Sequence, residues 1–185
     1  QSNGGVIGFD AAARLPVRTV LSGPSTGVVS AQAVGRMAGF PDIITFDMGG
    51  TSSDVALLAD GQCGLASEAI VHGYPIKAPM LDIHTVEAGG GSICSFDGNR
   101  LRVGPASAGA APGPACYGND GPLTVTDCNV VLGLVRPEIF PVTFGPGRDA
   151  PLDVAASCLR LDEVARSLRE ATGDTRTPTA IADGF

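Results

Sequence analysis

A chain of 185 residues, 44% of them hydrophobic, is long enough for one domain or one lobe of a larger enzyme and too apolar to be globally disordered. Its formal net charge of -7 lacks the basic surplus that nucleic-acid phosphates demand, and no apolar run reaches the ~18 residues that a membrane span requires. The opening Gln1-Ser2-Asn3-Gly4-Gly5 has neither the basic nor the apolar part of a secretory signal. Five cysteines (Cys63, Cys94, Cys116, Cys128, Cys158) without a C-x-x-C spacing give neither a disulfide framework nor a structural zinc site, so the expectation is a cytoplasmic protein with free thiols. The 26 glycines and 14 prolines suit many short strands and tight turns better than a helix bundle. With no initial Met, and a stop at Ala182-Asp183-Gly184-Phe185 where a new segment begins, the chain reads as a fragment.

In chain order, Val6–Phe9 reads as a short strand and Val17–Leu21 as a short apolar run closed by Ser22-Gly23-Pro24. Ser25 or Thr26 then caps a helix to about Met37, with Val28, Val29, Ala33 and Val34 on one face and Gly39 as its C-terminal stop. Strands follow at Ile43–Phe46 and Val55–Leu58, and the Asp60-Gly61 turn folds the second onto a third near Leu65–Val71. Ser92–Phe96, Asp97-Gly98-Asn99 and Arg100–Val103 form another hairpin, and 104–121 is too rich in Gly, Pro and Ala for long regular structure. Thr126 or Asp127 caps a short helix through Leu134, and two helical patterns, Leu152–Leu159 and Leu161–Ala171, close the chain.

Most of the chemistry lies in Asp47-Met48-Gly49-Gly50-Thr51-Ser52-Ser53-Asp54, bounded by strands. Two glycines let backbone N–H groups approach a phosphate where a Cβ would clash, and Thr51, Ser52 and Ser53 add hydroxyl donors. Asp47 and Asp54 would repel a phosphate unless neutralised, which suits Mg2+ or a magnesium-bound water. No Gly-Lys-Ser/Thr follows and no helix starts there, so this is not a P-loop; the competing reading is an ordinary hairpin with surface hydroxyls. A second constellation, Asp82-x-His84 followed by Glu87 and Gly89-Gly90-Gly91-Ser92, puts a carboxylate and an imidazole on one face if the segment is extended. Such a pair can bind a divalent metal or act as a base with its orienting partner, or the histidine is simply structural, and the glycines could bring backbone amides against a substrate or phosphate. His72 has no partner nearby in sequence and reads as structural; Cys116, in a constrained loop without a local base or cation, reads as packing or cleft lining; Thr126-Asp127 reads as a cap.

The loop 47–55 resembles the second phosphate motif of the actin-like ATPase superfamily, and Leu21–Val29 with its helix resembles the connecting helix before that motif. Pro79–Ser92, Pro112-Gly113-Pro114-Ala115-Cys116-Tyr117-Gly118, Leu123-Thr124-Val125-Thr126-Asp127 and the opening Gln1–Gly5 narrow the resemblance to the hydantoinase A/5-oxoprolinase family over about residues 1–140, in the right order. Three positions depart from its pattern: Glu87 replaces a small residue, Ala111 a common Asp, and Cys128 a usual Ala.

The resemblance implies an α/β fold, a mixed sheet with flanking helices in an actin-like (ribonuclease H-like) ATPase lobe plus irregular β-hairpins. That lobe would span 1–140, with 141–185 as its helical continuation. It further implies ATP and Mg2+, with Gly49, Gly50, Thr51, Ser52 and Ser53 on phosphate and Asp47, Asp54 and His84 in catalytic roles. Asp82, His84, Gly89, Gly90 and Gly91 would face the substrate or a second divalent metal, and Asp47, Asp82 and His84 are the candidate ligands. The implied reaction is ATP-dependent opening of a cyclic amide, hydantoin or 5-oxoproline, through a phosphorylated intermediate, together with a second hydantoinase-type subunit or domain. The alternatives are an ATP-dependent ketone carboxylase subunit and a non-catalytic nucleotide-binding module. With one phosphate motif and no adenosine-contacting Gly-Gly segment, the chain alone is expected to be inactive.

Overall fold

The computed structural model describes residues 1–71 and 73–185, and His72 lies outside them. The chain divides into two compact units, one formed by Gln1–Asp47 and Ser53–Val86, the other by Met48–Ser52 and Glu87–Phe185. The fold is α/β as expected, built from several small antiparallel sheets with helices. No helix among the described residues is long and apolar enough to cross a membrane.

The first unit opens with a correction. Residues 6–9 are not a strand: Val6 and Phe9 are almost fully exposed with no strand beside them. Instead α1 (Phe9–Arg14) forms, its alanines flanked by Asp10 in the first turn and Arg14 in the last, where each charge complements the helix dipole. Pro16–Thr19 is a 3-10 turn, since proline presets the first helical residue. Helix α2 spans Ser22–Ala38, so it starts before the expected caps. The hydroxyls of Ser25 and Thr26 bond back to the carbonyls of Leu21 and Ser22, as helix-interior residues do. The buried face is Ser25, Val28 and Gly35, while Val29 and Val34 stay exposed. Gly39 ends the helix at φ 81°, as expected.

Strands β1 (Ile43–Met48) and β2 (Ser53–Ala59) flank the glycine loop as the sequence predicts. The Asp60-Gly61 turn, both residues at positive φ, pairs β2 with β3 (Gln62–Cys63) through Leu58↔Cys63 and Ala59↔Gln62. The single expected third strand is broken up. β4 (Leu65–Ala66) pairs with β7 (Met80–Leu81), and β5 (Ala69–Val71) pairs with β6 (Tyr74–Ile76). β8 (His84–Val86) then returns to the free half of β2. Val28 of α2 packs on Ala56 and Leu58 to form this unit's core, with Ile43, Leu81 and Ile83 around it.

In the second unit the expected hairpin is present as β9 (Ser92–Phe96) and β10 (Leu101–Ser107). Helix α3 covers Val125–Val131, and its cap is Thr124, not Thr126 or Asp127. The two helical patterns at the end merge into one helix, α4 (Val154–Thr172), capped by Asp153, and α5 (Pro178–Asp183) follows. Cys94, Leu123 and Cys128 share a core with Leu161, Ala165, Leu168 and Ile181, so α3, α4, α5 and β9 are packed together. No cysteine is paired, in keeping with the free thiols expected.

Candidate functional site

The two ends of the glycine loop lie in the first unit. Asp47 near the end of β1 and Asp54 in β2 line a hollow of about 250 Å3 with Gly27 and Ala31 of α2 and Thr45 of β1. Gly27 is the position of α2 nearest the carboxylate, since a Cβ there would lie 3.8 Å from Asp47 Oδ2. Asp47 is exposed and Asp54 half-buried, and among the described residues neither forms an ion pair with a basic side chain. Two carboxylates and no basic side chain at one hollow are the donor chemistry a hard divalent cation takes together with water, and two such ligands are fewer than a dedicated metal cluster supplies.

The register of β8 on β2 separates residues that the sequence placed together. Ser53 opposes Val86, Asp54 opposes Thr85, and Val55 opposes His84. Directly opposite residues share a face and neighbours alternate, so Asp54 and Thr85 lie on one face and His84 on the other. The Thr85 hydroxyl donates to Asp54 Oδ1 at 2.6 Å, a contact invisible in sequence because it depends on that register. Asp82 does not continue the strand of His84: its N–H donates to Gly64 O at 2.9 Å, extending the β4–β7 ladder, and the chain changes partner at Asp82-Ile83. The expected grouping of Asp47, Asp82 and His84 is not formed, since among the described residues no three of His, Cys, Asp and Glu gather as a metal cluster. Asp82, His84 and Glu87 are all exposed.

The middle of the loop belongs to the second unit, where the triple glycine has a different role from the one expected. Gly90 N–H donates to Gly49 O at 3.0 Å, Gly91 N–H to Gly50 O at 2.6 Å, and Gly89 N–H to Ser92 Oγ at 3.0 Å. All three amides are therefore consumed inside the protein and are not presented to a substrate. The spacing demands glycine: a Cβ at Gly89 would fall 2.7 Å from Gly49 O, and one at Gly91 would fall 2.8 Å from Gly50 O. Gly90 is confined from the other side by Thr126, whose N–H and hydroxyl both donate to Gly90 O at 2.8 Å. The loop closes on itself through Gly49 N–H to Ser52 O at 2.8 Å. Among the described residues no protein acceptor takes the N–H groups of Gly50, Thr51 or Ser52.

Asp127 anchors this arrangement and is more than the helix cap that the sequence suggests. It is fully buried and accepts from Ala115 N–H (3.1 Å), Cys116 N–H (2.8 Å), Thr124 N–H (2.9 Å), the Thr124 hydroxyl (2.8 Å) and the Ser157 hydroxyl (2.7 Å). The Pro-Gly-Pro-Ala-Cys-Tyr segment is thus held to α3 and α4 by one carboxylate. Burial and the neighbouring Asp127 carboxylate push the Cys116 thiol well above its usual range, which supports packing over reactivity. In the first unit Ser2 has a similar role: its N–H donates to Arg18 O, while its carbonyl accepts from the Ser25 hydroxyl and from Leu81 N–H.

The loop thus sits between two strands of an α/β fold built from small antiparallel sheets and helices. The sequence pattern of the Hydantoinase/oxoprolinase family matches residues 1–185, and the chain belongs to that family. It is similar to 5-oxoprolinase of Saccharomyces cerevisiae, at 42% identity over 187 residues, covering all of this chain and 14% of that protein. Among solved structures, the nucleotide-free acetone carboxylase from a study of ATP-dependent acetone carboxylation superposes with a TM-score of 0.73 at 29% identity, covering 99% of this chain and 24% of that one. The ATP-dependent caprolactamase of Pseudomonas jessenii superposes with a TM-score of 0.65 at 34% identity, covering 91% and 23%. The chain therefore spans about one seventh of the 5-oxoprolinase it resembles.

Proposed function

We propose that this chain is the phosphate-binding portion of an ATP-dependent hydrolase that opens a cyclic amide. The observation that carries the reading is the state of the glycine loop: the carbonyls of Gly49 and Gly50 are tied back by Gly90 and Gly91, while among the described residues no protein acceptor takes the N–H groups of Gly50, Thr51 and Ser52. Successive unclaimed amides with adjacent hydroxyls form an anion cradle that needs no reorganisation when phosphate arrives. Asp47 and Asp54 are the residues that would hold a cation, and Mg2+ there would supply charge neutralisation for the phosphoryl group. In this reading the amide oxygen of the substrate attacks the terminal phosphorus of ATP and ADP leaves; water adds to the activated carbon, the ring C–N bond breaks with the nitrogen leaving protonated, and a second water releases phosphate from the resulting acyl phosphate. The loop's part is to hold the phosphoryl oxygens and withdraw their charge. The names of the 5-oxoprolinase and caprolactamase relatives, both acting on cyclic amides, support such a substrate.

Ketone carboxylation is the second reading, favoured by the fuller superposition on acetone carboxylase. It too would place ATP on this loop. The discriminating measurement is ADP release by the full-length protein, with its second subunit, against 5-oxoproline, hydantoins, and acetone plus bicarbonate. Stimulation by a cyclic amide is the expected result, and stimulation by acetone plus bicarbonate alone moves the chain to the carboxylases. In the same assay Asp47→Ala is expected to lower turnover by about 100-fold or more while the protein remains folded, the scale of losing one transition-state charge stabiliser. Undiminished turnover in that variant removes the loop from the chemistry.

A further inference from the structure

We infer that Thr85 is a positioning residue for the cation-binding carboxylate of Asp54, an inference that rests on the reading of Asp47 and Asp54 as the cation site. The two residues face each other directly across the β2–β8 ladder, with the Ser53–Val86 and Val55–His84 pairs on either side. The Thr85 hydroxyl donates to Oδ1 at 2.6 Å, the short length of a hydrogen bond to an ionised carboxylate. Among the described residues no donor reaches Oδ2 of Asp54, so the contact selects one oxygen and leaves the other for a ligand. Threonine suits this task because its β-branch stiffens χ1, and strand pairing on both sides fixes its backbone. An aspartate fixed in this way binds a cation without losing rotamer freedom at the moment of binding, which is the source of the affinity gain.

The alternative, a stabilising surface contact, predicts different behaviour. Thr85 is exposed, so removing its hydroxyl leaves no buried orphan and Thr85→Val folds. His84 takes no part, since it lies on the opposite face of the ladder. Asp47 lines the same hollow as Asp54.

The test uses the full-length enzyme with its second subunit and two readouts. One is Mn2+ binding to the ADP-loaded protein, followed by electron paramagnetic resonance. The other is the Mg2+ concentration that gives half-maximal turnover. Thr85→Val is expected to weaken Mn2+ binding and raise the Mg2+ half-saturation by about tenfold, the scale of one lost charge-assisted hydrogen bond. The effect falls more on metal half-saturation than on the rate at saturating Mg2+, and Thr85→Ser restores both readouts. Asp54→Asn weakens Mn2+ binding further. If Thr85→Val binds Mn2+ like the parent while Asp54→Asn is impaired, the positioning role is overturned and the cation site stands. If Thr85→Ser is as weak as Thr85→Val, the hydroxyl is not the cause and the inference fails. If Asp54→Asn binds Mn2+ normally, the cation-site reading itself falls, and the inference with it.

Discussion

Asp127 shows how one residue can be half legible. The pattern Thr-Val-Thr-Asp announces a helix start, and a helix does start there, but the cap is Thr124 and Asp127 is its reciprocal partner in a capping box. What sequence could not supply is the identity of the other donors, because Ala115, Cys116 and Ser157 lie 12, 11 and 30 positions away. A buried carboxylate with no cation is tolerable only while each of these donors points at it. Asp127→Asn replaces one acceptor oxygen by an NH2 group that faces donors, so it is expected to lower unfolding stability by about 3 kcal/mol or more. Ser157→Ala removes a single donor and is expected to cost about 1–2 kcal/mol. Denaturant melts of both variants test this, and an Asp127→Asn protein as stable as the parent refutes the anchoring role.

At the scale of elements, the parts set by local pattern were readable: β1 and β2 around the loop, the Asp-Gly turn, the β9–β10 hairpin and the Gly39 stop of α2. The parts set by distant partners were not. Residues 6–9 are a short apolar run but pair with no strand among the described residues, and 65–71 splits because its halves pair with different later segments. Gly89-Gly90-Gly91 was visible as a motif but misread, since three glycines in sequence do not reveal whether their amides face a ligand or another loop. The structure assigns them to the backbone of Gly49 and Gly50, and that contact can be tested. Gly89→Ala and Gly91→Ala force a Cβ into a backbone carbonyl, so the 49–50 loop must shift. ADP affinity of the full-length protein, measured by calorimetry, is expected to fall by about tenfold or more, the equivalent of ~1.4 kcal/mol. Gly23→Ala, where a Cβ meets nothing within 4 Å, is the matched control and is expected to leave affinity unchanged. Unaltered affinity in Gly91→Ala means that the loop does not depend on the triple glycine.

For the whole molecule, the relevant quantity is apolar surface left uncovered. Helix α2 protects one face of the first unit's sheet, where Ala56 and Leu58 are buried against Val28. Alternation sends Ile44 and Phe46 of β1 and Leu57 of β2 to the opposite face, where they are 70%, 67% and 64% exposed. An apolar patch of this kind on a free chain binds hydrophobic probes and promotes self-association. The 185-residue chain on its own is therefore expected to enhance fluorescence of the dye ANS and to show concentration-dependent association by light scattering. Paired Ile44→Glu and Leu57→Glu substitutions are expected to suppress both while leaving the far-UV circular dichroism intact, because neither side chain belongs to the buried core. The core residue Leu58, fully buried one position away, sets the contrast: Leu58→Ala is expected to cost about 2–5 kcal/mol and to raise dye binding. If the double glutamate variant binds as much dye as the parent, this sheet face is not the adhesive surface. The adhesive surface then lies instead on the exposed residues of α2, Val34 and Met37, which point away from the core that Val28 defines.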